Sequence, residues 1–199
     1  MKRLVIIGAS GHGKVAADIA TQNGYQEIVF LDDNEAVKKC GQYPVIGKSY
    51  DAKNLKTDTF VAIGNADVRK RIQESLMDVP LVTLIHPDAV VAADAVIGAG
   101  TVVMAGTVIN SGTKIGNGCI INTCASVDHD CQVGDFVHVA VGSHLCGNVT
   151  VGIETWIGAG AIISNNVSVC ERCMIGAGAV VVKDIKEPGT YIGVPAKKR

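Results

Sequence analysis

The sequence predicts an α/β domain followed by a parallel β-helix, and three observations support that prediction. Every sixth residue from Val91 to Val181 is aliphatic, without one register slip. The residue two positions before each of these is Ala, Ser, Cys, Thr or Val. The third observation is a strand, glycine-rich turn, helix and strand pattern within residues 1–80, which is typical of a nucleotide-binding half-domain.

The six-residue period fits neither an α-helix, with about 3.6 residues per turn, nor a plain strand, whose side chains alternate. Short strands joined by tight turns and stacked as a solenoid explain it. We expect the large aliphatic residues to fill the interior and the small ones to fit a narrow corner. Gly often follows the large aliphatic residue, and we expect Gly or Asn to take the turn.

The N-terminal part reads as alternating strands and helices. Residues 2–8 form an apolar run that ends in glycine, residues 14–23 have a helical pattern, and residues 28–31 form a second apolar run before two aspartates. Residues 59–63 predict a third strand and residues 67–77 a second helix, with a short apolar segment at 81–85. We therefore expect a half-Rossmann-like domain over residues 1–80 and the β-helix over 81–199. A domain of three or four strands suits one nucleotide better than NAD.

The glycine-rich turn reads Gly-Ala-Ser-Gly-His-Gly over residues 8–13. Glycines let the backbone approach a phosphate, and the helix that follows offers free N–H groups at its N-terminus. Its G-x-x-G-x-G spacing differs from the dinucleotide pattern G-x-G-x-x-G. The turn is therefore either a nucleotide site or a generic tight connection between strand and helix.

The charge balance argues against several partners. The net charge is −1, from 18 basic and 19 acidic residues, and no basic stripe proposes nucleic acid or an anionic membrane surface. No apolar run is long enough for a transmembrane span.

The odd count of 7 cysteines predicts reduced thiols used as small apolar residues. These features favour a soluble, cytoplasmic protein.

Cys170 and Cys173 form a lone C-x-x-C, without a second pair and without a histidine at ligand spacing. Repeat phase places Cys173 in the small inward column and Cys170 just after an aliphatic residue, so we expect their side chains to point in different directions. We predict neither a metal site nor a redox function there.

His129 is the first candidate for chemistry. It falls two residues after the inward Val127, which places it at an exposed corner between Asp128 and Asp130. A histidine held by a carboxylate on a rigid corner is suited to act as a general base, because the acid can fix its tautomer and raise its basicity. The alternative is an ordinary exposed histidine among polar turn residues.

A second group of residues follows from a spacing of three repeats. His138, Trp156 and Met174 should stack along one outer face, and an outward Trp implies a partner subunit or a bound ligand. His144 either shares that surface or is an ordinary polar surface residue. Since a smooth solenoid has no deep cleft of its own, we expect an active site between chains, and a homotrimer is the economical assembly.

The repeat resembles that of the hexapeptide-repeat acyltransferases, whose solenoid is a left-handed parallel β-helix with three hexapeptides per coil. Over nearly the full chain the sequence is similar to sugar acyltransferases of the sialic-acid O-acetyltransferase type. Residues 8–13, 32–33, 62–65 and 193–197 carry that similarity. Within the group it is most similar to the UDP-4-amino-sugar N-acetyltransferases of the bacillosamine pathway, through residues 122–123, 127–129, 136–141 and 147–149.

The resemblance implies roles for the β-helix residues. It makes His129 the base that takes a proton from the sugar amine, which then attacks the thioester of acetyl-CoA directly. The acid after this histidine raises its basicity. It is Glu in the best-known pattern and Asp130 here, so whether Asp130 or Asp128 orients the base stays open. The cofactor contacts of the family match His138, Ala159 and Ala177.

The resemblance also implies a nucleotide-sugar site on the N-terminal domain, formed by Ser10, Gly11, His12, Asp32, Asp33 and Gly64. The expected activity is acetyl-CoA-dependent N-acetylation of the 4-amino group of a UDP-4-amino-4,6-dideoxy-N-acetyl sugar, with no metal. One alternative is O-acetylation of sialic acid or another surface sugar. The other is a non-catalytic scaffold, in which the repeat is only structural and the corner histidine has no function.

Overall fold

The computed structural model describes residues 2–76 and 78–199. The chain divides into two compact units, Met1–Pro87 and Asp88–Arg199. Residues 81–87, which the sequence analysis assigned to the second domain, lie in the first unit.

The first unit contains a short parallel sheet with helices in its connections. Its elements are β1 (Arg3–Ile7), α1 (Gly11–Gln22), β2 (Glu27–Leu31), β3 (Lys39–Cys40), β4 (Tyr43–Gly47), a 3-10 turn (Ser49–Asp51), α2 (Ala52–Leu55), β5 (Asp58–Val61), α3 (Ala66–Ser75) and β6 (Leu84–Ile85). The predicted strands and helices are present, although α1 begins three residues earlier than its helical pattern indicated. β3, β4 and the short helical segments were not predicted from the sequence, and the last residue of the predicted 67–77 helix lies outside the described residues.

The sheet of this unit has the strand order β3-β4-β2-β1-β5. β1 is central and pairs in parallel with both β2 and β5, so the chain leaves β1 first to one side and later to the other. In open α/β sheets, ligands bind outside the carboxyl ends of the strands at such a reversal of strand order. Leu4 to Ile7 are all buried, as expected for a central parallel strand covered on both faces.

The second unit is a parallel β-helix built from very short strands. They are β7 (Val90–Val91), β8 (Val96–Ile97), β9 (Val102–Val103), β10 (Val108–Ile109), β11 (Lys114–Ile115), β12 (Ile120–Ile121), β13 (Ser126–Val127), β14 (Gln132–Val133), β15 (His138–Val139), β16 (His144–Leu145), β17 (Thr150–Val151), β18 (Trp156–Ile157), β19 (Ile162–Ile163), β20 (Ser168–Val169), β21 (Cys173–Ile175), β22 (Val180–Val181), β23 (Gly189–Ile192) and β24 (Lys197–Lys198). From β7 to β22, each strand pairs in parallel with the third strand along the chain.

Three strands therefore make one coil, and the coils stack into three sheets. One sheet contains β7, β10, β13, β16, β19 and β22, and another contains β8, β11, β14, β17 and β20. In the third, β9, β12, β15, β18 and β21 are followed by β23 and β24. In each strand the large aliphatic residue points inward, and from Val103 to Val181 this column is at most 4% exposed. The small column from Thr101 to Ala179 is also buried. Both columns were predicted from the sequence.

The corners repeat with the same period, because every sixth residue has a positive φ. These residues are Gly100, Gly106, Gly112, Gly118, Cys124, Asp130, Phe136, Gly142, Asn148, Glu154, Gly160, Asn166, Arg172 and Gly178. The glycine directly after an inward aliphatic residue has another purpose. A Cβ added at Gly98 would lie 2.5 Å from the backbone of Gly116 in the next coil, so close stacking excludes a side chain there. The turn conformation belongs to the residue two positions later.

Candidate functional site

The loops after β1, β2 and β5 carry the predicted nucleotide-binding residues of the first unit. The Asp32 carboxylate, at the end of β2, accepts a hydrogen bond from the Ala9 N–H at 2.7 Å and one from the Asn34 N–H at 2.9 Å. Asp32 therefore fixes the glycine-rich loop to the neighbouring strand. This bond explains why an acid at the end of β2 and a glycine-rich turn after β1 occur together.

Asp33 has a different set of partners. Its carboxylate accepts hydrogen bonds from the Ser49 N–H at 2.9 Å and from the Ser49 hydroxyl at 2.8 Å. Ser49 lies in the loop after β4, a segment in which the sequence analysis predicted no element. Asp33 thus connects the end of β2 with the loop that follows β4.

The start of α1 is an open helix N-terminus. Ser10 is the N-cap residue, and its side chain makes no capping hydrogen bond to any described residue. Gly11 has open space where a side chain would be, whereas a Cβ at Gly13 would lie 2.2 Å from the Gly8 carbonyl oxygen. Gly13 thus permits close packing of helix and strand, and the exposed N–H groups before it are suited to an anionic group.

His12 lies in the first turn of α1, and its surroundings keep its imidazole neutral. Burial, and secondarily the nearby charge of Arg69, lower the pKa of His12 to about 4. Its ring packs edge-on to Phe60, with centroids 6.5 Å apart. Its buried Nε2 makes no hydrogen bond with any residue in the described part of the chain. A buried, neutral imidazole with an unused nitrogen is suited to hydrogen-bond a polar ligand group.

Arg69 of α3 positions the loop after β5, and the sequence analysis missed it. Its side chain is buried, and Nη1 donates to the carbonyl oxygens of Ile63 and Gly64, both at 2.8 Å. Gly64 is thereby held at the carboxyl end of β5. The sequence carries no signal of this role, since arginine in a helix is mostly exposed.

A pocket of about 310 Å³ opens beside Asp32 in the same unit. Its walls include Val37, Lys38, Ile46 and Lys48. Glu35 also lines the pocket and is ion-paired with Lys48, so the pocket offers two carboxylates, apolar surface and the cationic Lys38, a combination suited to a nucleoside.

The corner that carries His129 has a hydrogen-bonded pair at its tip. His129 Nδ1 lies 2.8 Å from Asp130 Oδ2. The two side chains are 56% and 67% exposed, so a substrate can reach the imidazole. Asp130 has a left-handed backbone, with φ of 58°, a conformation that Asp and Asn adopt more readily than most residues. With Nδ1–H donating to Asp130, Nε2 is the nitrogen that can accept a proton.

Asp128 makes different contacts. Its Oδ1 accepts hydrogen bonds from the His129 backbone N–H and from Asn110 Nδ2, both at 2.8 Å. These bonds, the one from Asn110 first, lower the pKa of Asp128, so it stays ionised. Of the two acids, Asp130 is therefore the one bonded to the imidazole, and Asp128 fixes the backbone of the corner.

The pKa of His129 is raised above its ordinary value. The hydrogen bond to Asp130 is the main cause, and the negative charge of Asp128 adds to it. Asn110, which the sequence analysis missed, lies one coil before Asp128 and is bonded to it. The spacing of 18 residues between stacked positions could have identified it.

His138, Trp156 and Met174 lie at matched positions on adjacent strands, as predicted. The His138 and Trp156 rings are 4.2 Å apart between centroids, and His138 Nε2 lies 3.2 Å from Asn122 Nδ2. His138 is buried and Met174 is 44% exposed.

His144 does not share this surface, so of the two alternatives the ordinary polar surface residue is the one that the structure shows. It belongs to the sheet of β13 and β16, where its Nδ1 lies 2.8 Å from the Ser126 hydroxyl. A shift of one hexapeptide moves a residue to the next face of the coil, so equal phase in adjacent repeats does not mean a common face.

Ala159 and Ala177 lie on the corner that follows β18 and β21, in the sheet that contains His138 and Trp156. They are exposed, and they belong to a column with Thr123 and Val141. The carbonyls of Thr123, Val141 and Ala159 each accept from a backbone N–H of the next coil. Val141 is 51% exposed. The corner therefore presents a strip of small and apolar groups beside the His138 face.

Cys170 and Cys173 differ from the prediction that they point in different directions, since their Sγ atoms are 3.5 Å apart. Burial raises the pKa of the Cys173 thiol to about 12, so it stays protonated. Cys131, close to His129 in sequence, is buried in the small column, and burial likewise raises its pKa.

Within residues 2–76 and 78–199, no group of three His, Cys, Asp or Glu side chains is arranged to hold a metal ion. In the same part of the chain, no helix is both long and apolar enough to cross a membrane.

The structure thus brings the predicted residues into groups within each unit. In the first unit, Gly64 follows β5, Asp32 and Asp33 follow β2, and the start of α1 after β1 holds Ser10, Gly11 and His12. His129 and Asp130 share one corner of the β-helix. His138 lies on the sheet beside the corner of Ala159 and Ala177.

Comparison with known proteins gives a consistent result. Residues 3–76 match the family model described as the PglD N-terminal domain. A GDP-perosamine N-acetyltransferase of Escherichia coli O157:H7 is 34% identical over 163 residues, which cover 77% of this chain and 74% of that protein.

Solved structures extend the similarity to the whole chain. The acetyltransferase domain of PglB from Neisseria gonorrhoeae FA1090 is 43% identical with a TM-score of 0.96, and 100% of each chain is covered. The same domain is also solved in complex with acetyl coenzyme A. PerB from Caulobacter crescentus, in complex with CoA and GDP-perosamine, is 37% identical with a TM-score of 0.93, covering 100% of this chain and 98% of that one. The predicted fold class, an α/β domain followed by a left-handed parallel β-helix, is confirmed.

Proposed function

Because the chain belongs to the hexapeptide-repeat sugar N-acetyltransferases of the bacillosamine-pathway type, we propose that it acetylates the 4-amino group of a UDP-4-amino-4,6-dideoxy-N-acetyl sugar with acetyl-CoA. The observation that carries this proposal is the exposed His129–Asp130 pair, whose 2.8 Å bond leaves Nε2 as a proton acceptor. A family that acylates amines needs such an acceptor, since nitrogen must lose a proton as it forms the amide.

In the proposed mechanism the sugar amine attacks the thioester carbonyl carbon directly. A C–N bond forms, the C–S bond breaks, and CoA leaves as the thiolate. His129 Nε2 takes the proton from the nitrogen and passes it to the leaving sulfur, so that free CoA thiol and the amide are the products. Asp130 holds the ring by its Nδ1–H and stabilises the imidazolium that forms. Proximity of amine and thioester supplies the rest of the rate enhancement.

The α/β unit is proposed to bind the nucleotide part of the sugar. Its N-terminal helix end and the unused His12 Nε2 suit phosphate or sugar oxygens. The pocket beside Asp32 suits the nucleoside. Asp32, Asp33 and Gly64 then serve mainly by holding the loops that line this site, and each retains lone pairs or open backbone for the ligand.

Acetyl-CoA is proposed to lie along the corner of Ala159 and Ala177, beside His138. This strip of small, exposed residues allows an extended pantetheine arm to approach the backbone closely. The stacked His138 and Trp156 rings give the adjoining face an apolar, polarisable surface.

We propose a homotrimer, with active sites between subunits. The sheet of β7, β10, β13, β16, β19 and β22 has apolar outward residues in its first two and last two strands, with Ser126 and His144 between them. These apolar residues are Val90, Val108, Ile162 and Val180, and Val90 is 64% exposed. A second copy of the chain would cover them. Light scattering should give about three times the chain mass of 20.7 kDa.

The acceptor is tested by thiol release from acetyl-CoA with three compounds in parallel. They are a UDP-4-amino-4,6-dideoxy-N-acetyl sugar, GDP-perosamine, and free sialic acid. The higher identity to the PglB domain favours the UDP sugar over GDP-perosamine, the acceptor named for the other relatives. Turnover on the UDP sugar, with an acetamide in the product, supports the proposal. Turnover on sialic acid alone would replace it by O-acetylation, and absence of thiol release with all three would contradict it.

A further inference from the structure

We propose that Gly147 is a positioning residue for catalysis, because its missing side chain leaves the space in which the His129 imidazole lies. This inference rests on the proposed role of His129 as the base. A Cβ added at Gly147 would lie 2.5 Å from His129 Nε2 and 2.7 Å from its Cε1. Cβ atoms essentially never approach other heavy atoms within 3.0 Å, so the ring and a side chain at position 147 exclude one another.

Backbone conformation does not explain this glycine. Gly147 is the second residue of its corner, and the left-handed position is the third, Asn148, with φ of 56°. The stacked second positions in other coils all carry side chains: Ala93, Ser111, His129 and Asn165. The corner geometry therefore accepts a Cβ at this position, and the only exception lies directly beside the histidine.

Burial points the same way. Ala93, Ser111, His129 and Asn165 are exposed, as expected for corner residues, whereas Gly147 is buried. The His129 ring, which lies against Gly147, accounts for that difference. The chain also connects the two residues, since the Asn148 N–H donates to the His129 carbonyl at 2.8 Å.

The opposite side of the pair shows why Gly147 is the informative position. A Cβ at Gly112, one coil earlier, would lie 2.4 Å from Asp130 Oδ1. Gly112 also has φ of 73°, however, so its backbone alone accounts for glycine. Gly147 has no such requirement, and alanine there changes only the space next to the imidazole.

A methyl group at position 147 would act on the catalytic ring more than on the fold. The clashing atoms are the far end of an exposed side chain, which can rotate away at little cost. Rotation would break the bond to Asp130 and turn Nε2 from its place. The ionised groups facing the ring are Asp128 and Asp130 of its own corner. Two coils earlier, Asp94 is bonded to Ser111, and the coil after contains the titratable groups His144, on the adjoining strand β16, and Cys146, beside Gly147.

The experiment compares Gly147→Ala with Asn165→Ala, the same corner position one coil further on. A displacement of about 1 Å can cost roughly 100-fold in rate, so kcat of Gly147→Ala should fall by about that factor. KM for acetyl-CoA should stay within about twofold. The acid limb of the pH profile should move to lower pH, because the ring loses the carboxylate that raises its pKa. Asn165→Ala should behave like the unmodified chain.

A kinetic double-mutant cycle separates this role from any other effect of the methyl group. In a His129→Ala background there is no ring to displace, so adding Gly147→Ala should not lower the residual kcat further. Unchanged kcat in Gly147→Ala, or an equal loss in both backgrounds, would overturn the inference. If His129→Ala itself kept full activity, the base assignment would fail instead, and the two failures are therefore distinguishable.

Discussion

His12 and His129 are the same side chain in opposite surroundings. His12 is largely buried, lies near the positive Arg69 and has its pKa lowered to about 4. His129 is exposed at a corner, bonded to Asp130, and has its pKa raised. The first is therefore held neutral across the physiological range, whereas the second is a stronger proton acceptor than a free histidine.

The opposite pKa shifts of His12 and His129 suit one histidine to ligand binding and the other to proton transfer. A neutral imidazole that does not ionise can donate or accept hydrogen bonds without adding charge to a nucleotide site. A base must gain a proton and share it with a carboxylate that stabilises the charge. The shifts of the two pKa values in opposite directions thus suit the two residues to the different tasks proposed for them.

The largest effect is expected for His129→Ala. Loss of a general base lowers rates by about 100- to 10,000-fold, so kcat for thiol release should fall by that range. KM for the nucleotide sugar should change little, since the proposed nucleotide site lies on the other unit. Retained thermal stabilisation by acetyl-CoA would show that the variant is folded. A kcat within threefold of that of the unmodified chain would contradict the proposal that His129 is the general base.

Asp130→Asn should have the next largest effect. Asparagine also tolerates the left-handed backbone, as Asn148 and Asn166 do at equivalent corners, so the variant removes charge with little strain. Hydrogen bonds to charged groups contribute roughly 1.5–3 kcal/mol, which corresponds to a loss of about 10- to 100-fold in kcat.

The pH profile of Asp130→Asn gives the sign of the coupling. His129 must be neutral to accept a proton, and Asp130 raises its pKa. The acid limb of kcat/KM should therefore lie above pH 6.5 in the unmodified enzyme and at lower pH in the variant. A shift to higher pH would mean that Asp130 does not act on the base.

His12→Ala should affect binding rather than chemistry. The loss of one hydrogen bond is equivalent to about 1 kcal/mol, so KM for the nucleotide sugar should rise roughly five- to tenfold while kcat changes less than threefold. Initial rates over a range of sugar concentrations measure both. A fall in kcat with unchanged KM would give His12 a chemical role and remove the contrast with His129.

The smallest effect is expected for Asn110→Ala. This change removes the side-chain bond to Asp128, which fixes the backbone of the histidine corner. This bond acts on the imidazole only through the backbone of the corner, so we expect a loss of about 0.5–1.5 kcal/mol, equivalent to a two- to tenfold fall in kcat. Asp128→Asn, which keeps the shape of the corner, is the matched variant. A loss as large as that of Asp130→Asn would show that Asp128 acts on the ring itself.

The β-helix could be predicted almost completely from the sequence, because each repeat makes the same local contacts and the period is visible in single residue types. Val127 fixes the phase, and the phase places His129 outward. The face of His144 was left open between two alternatives, and the structure decides it because the same face recurs every three hexapeptides and not every one. The proximity of the Cys170 and Cys173 thiols was also missed, because repeat phase alone does not show that side chains on either side of a turn can approach each other.

The α/β unit was less predictable, because its contacts are not periodic. Arg69 is buried through bonds to carbonyl oxygens, and Ser49 binds Asp33 from a loop with no apolar pattern. Side chains that act by holding backbone leave little trace in composition or spacing. The strand β4 was missed because its burial alternates weakly and it includes Pro44.

Titration of the histidine side chains by NMR, with isotope-labelled histidine and the single variants for assignment, tests the central claim most directly. The account predicts that His129 titrates above its ordinary value of 6.5 and that His12 stays neutral down to about pH 4. In Asp130→Asn the His129 midpoint should fall while that of His12 stays the same. Titration of both residues together near 6.5 would contradict the assignment of one as binder and the other as base.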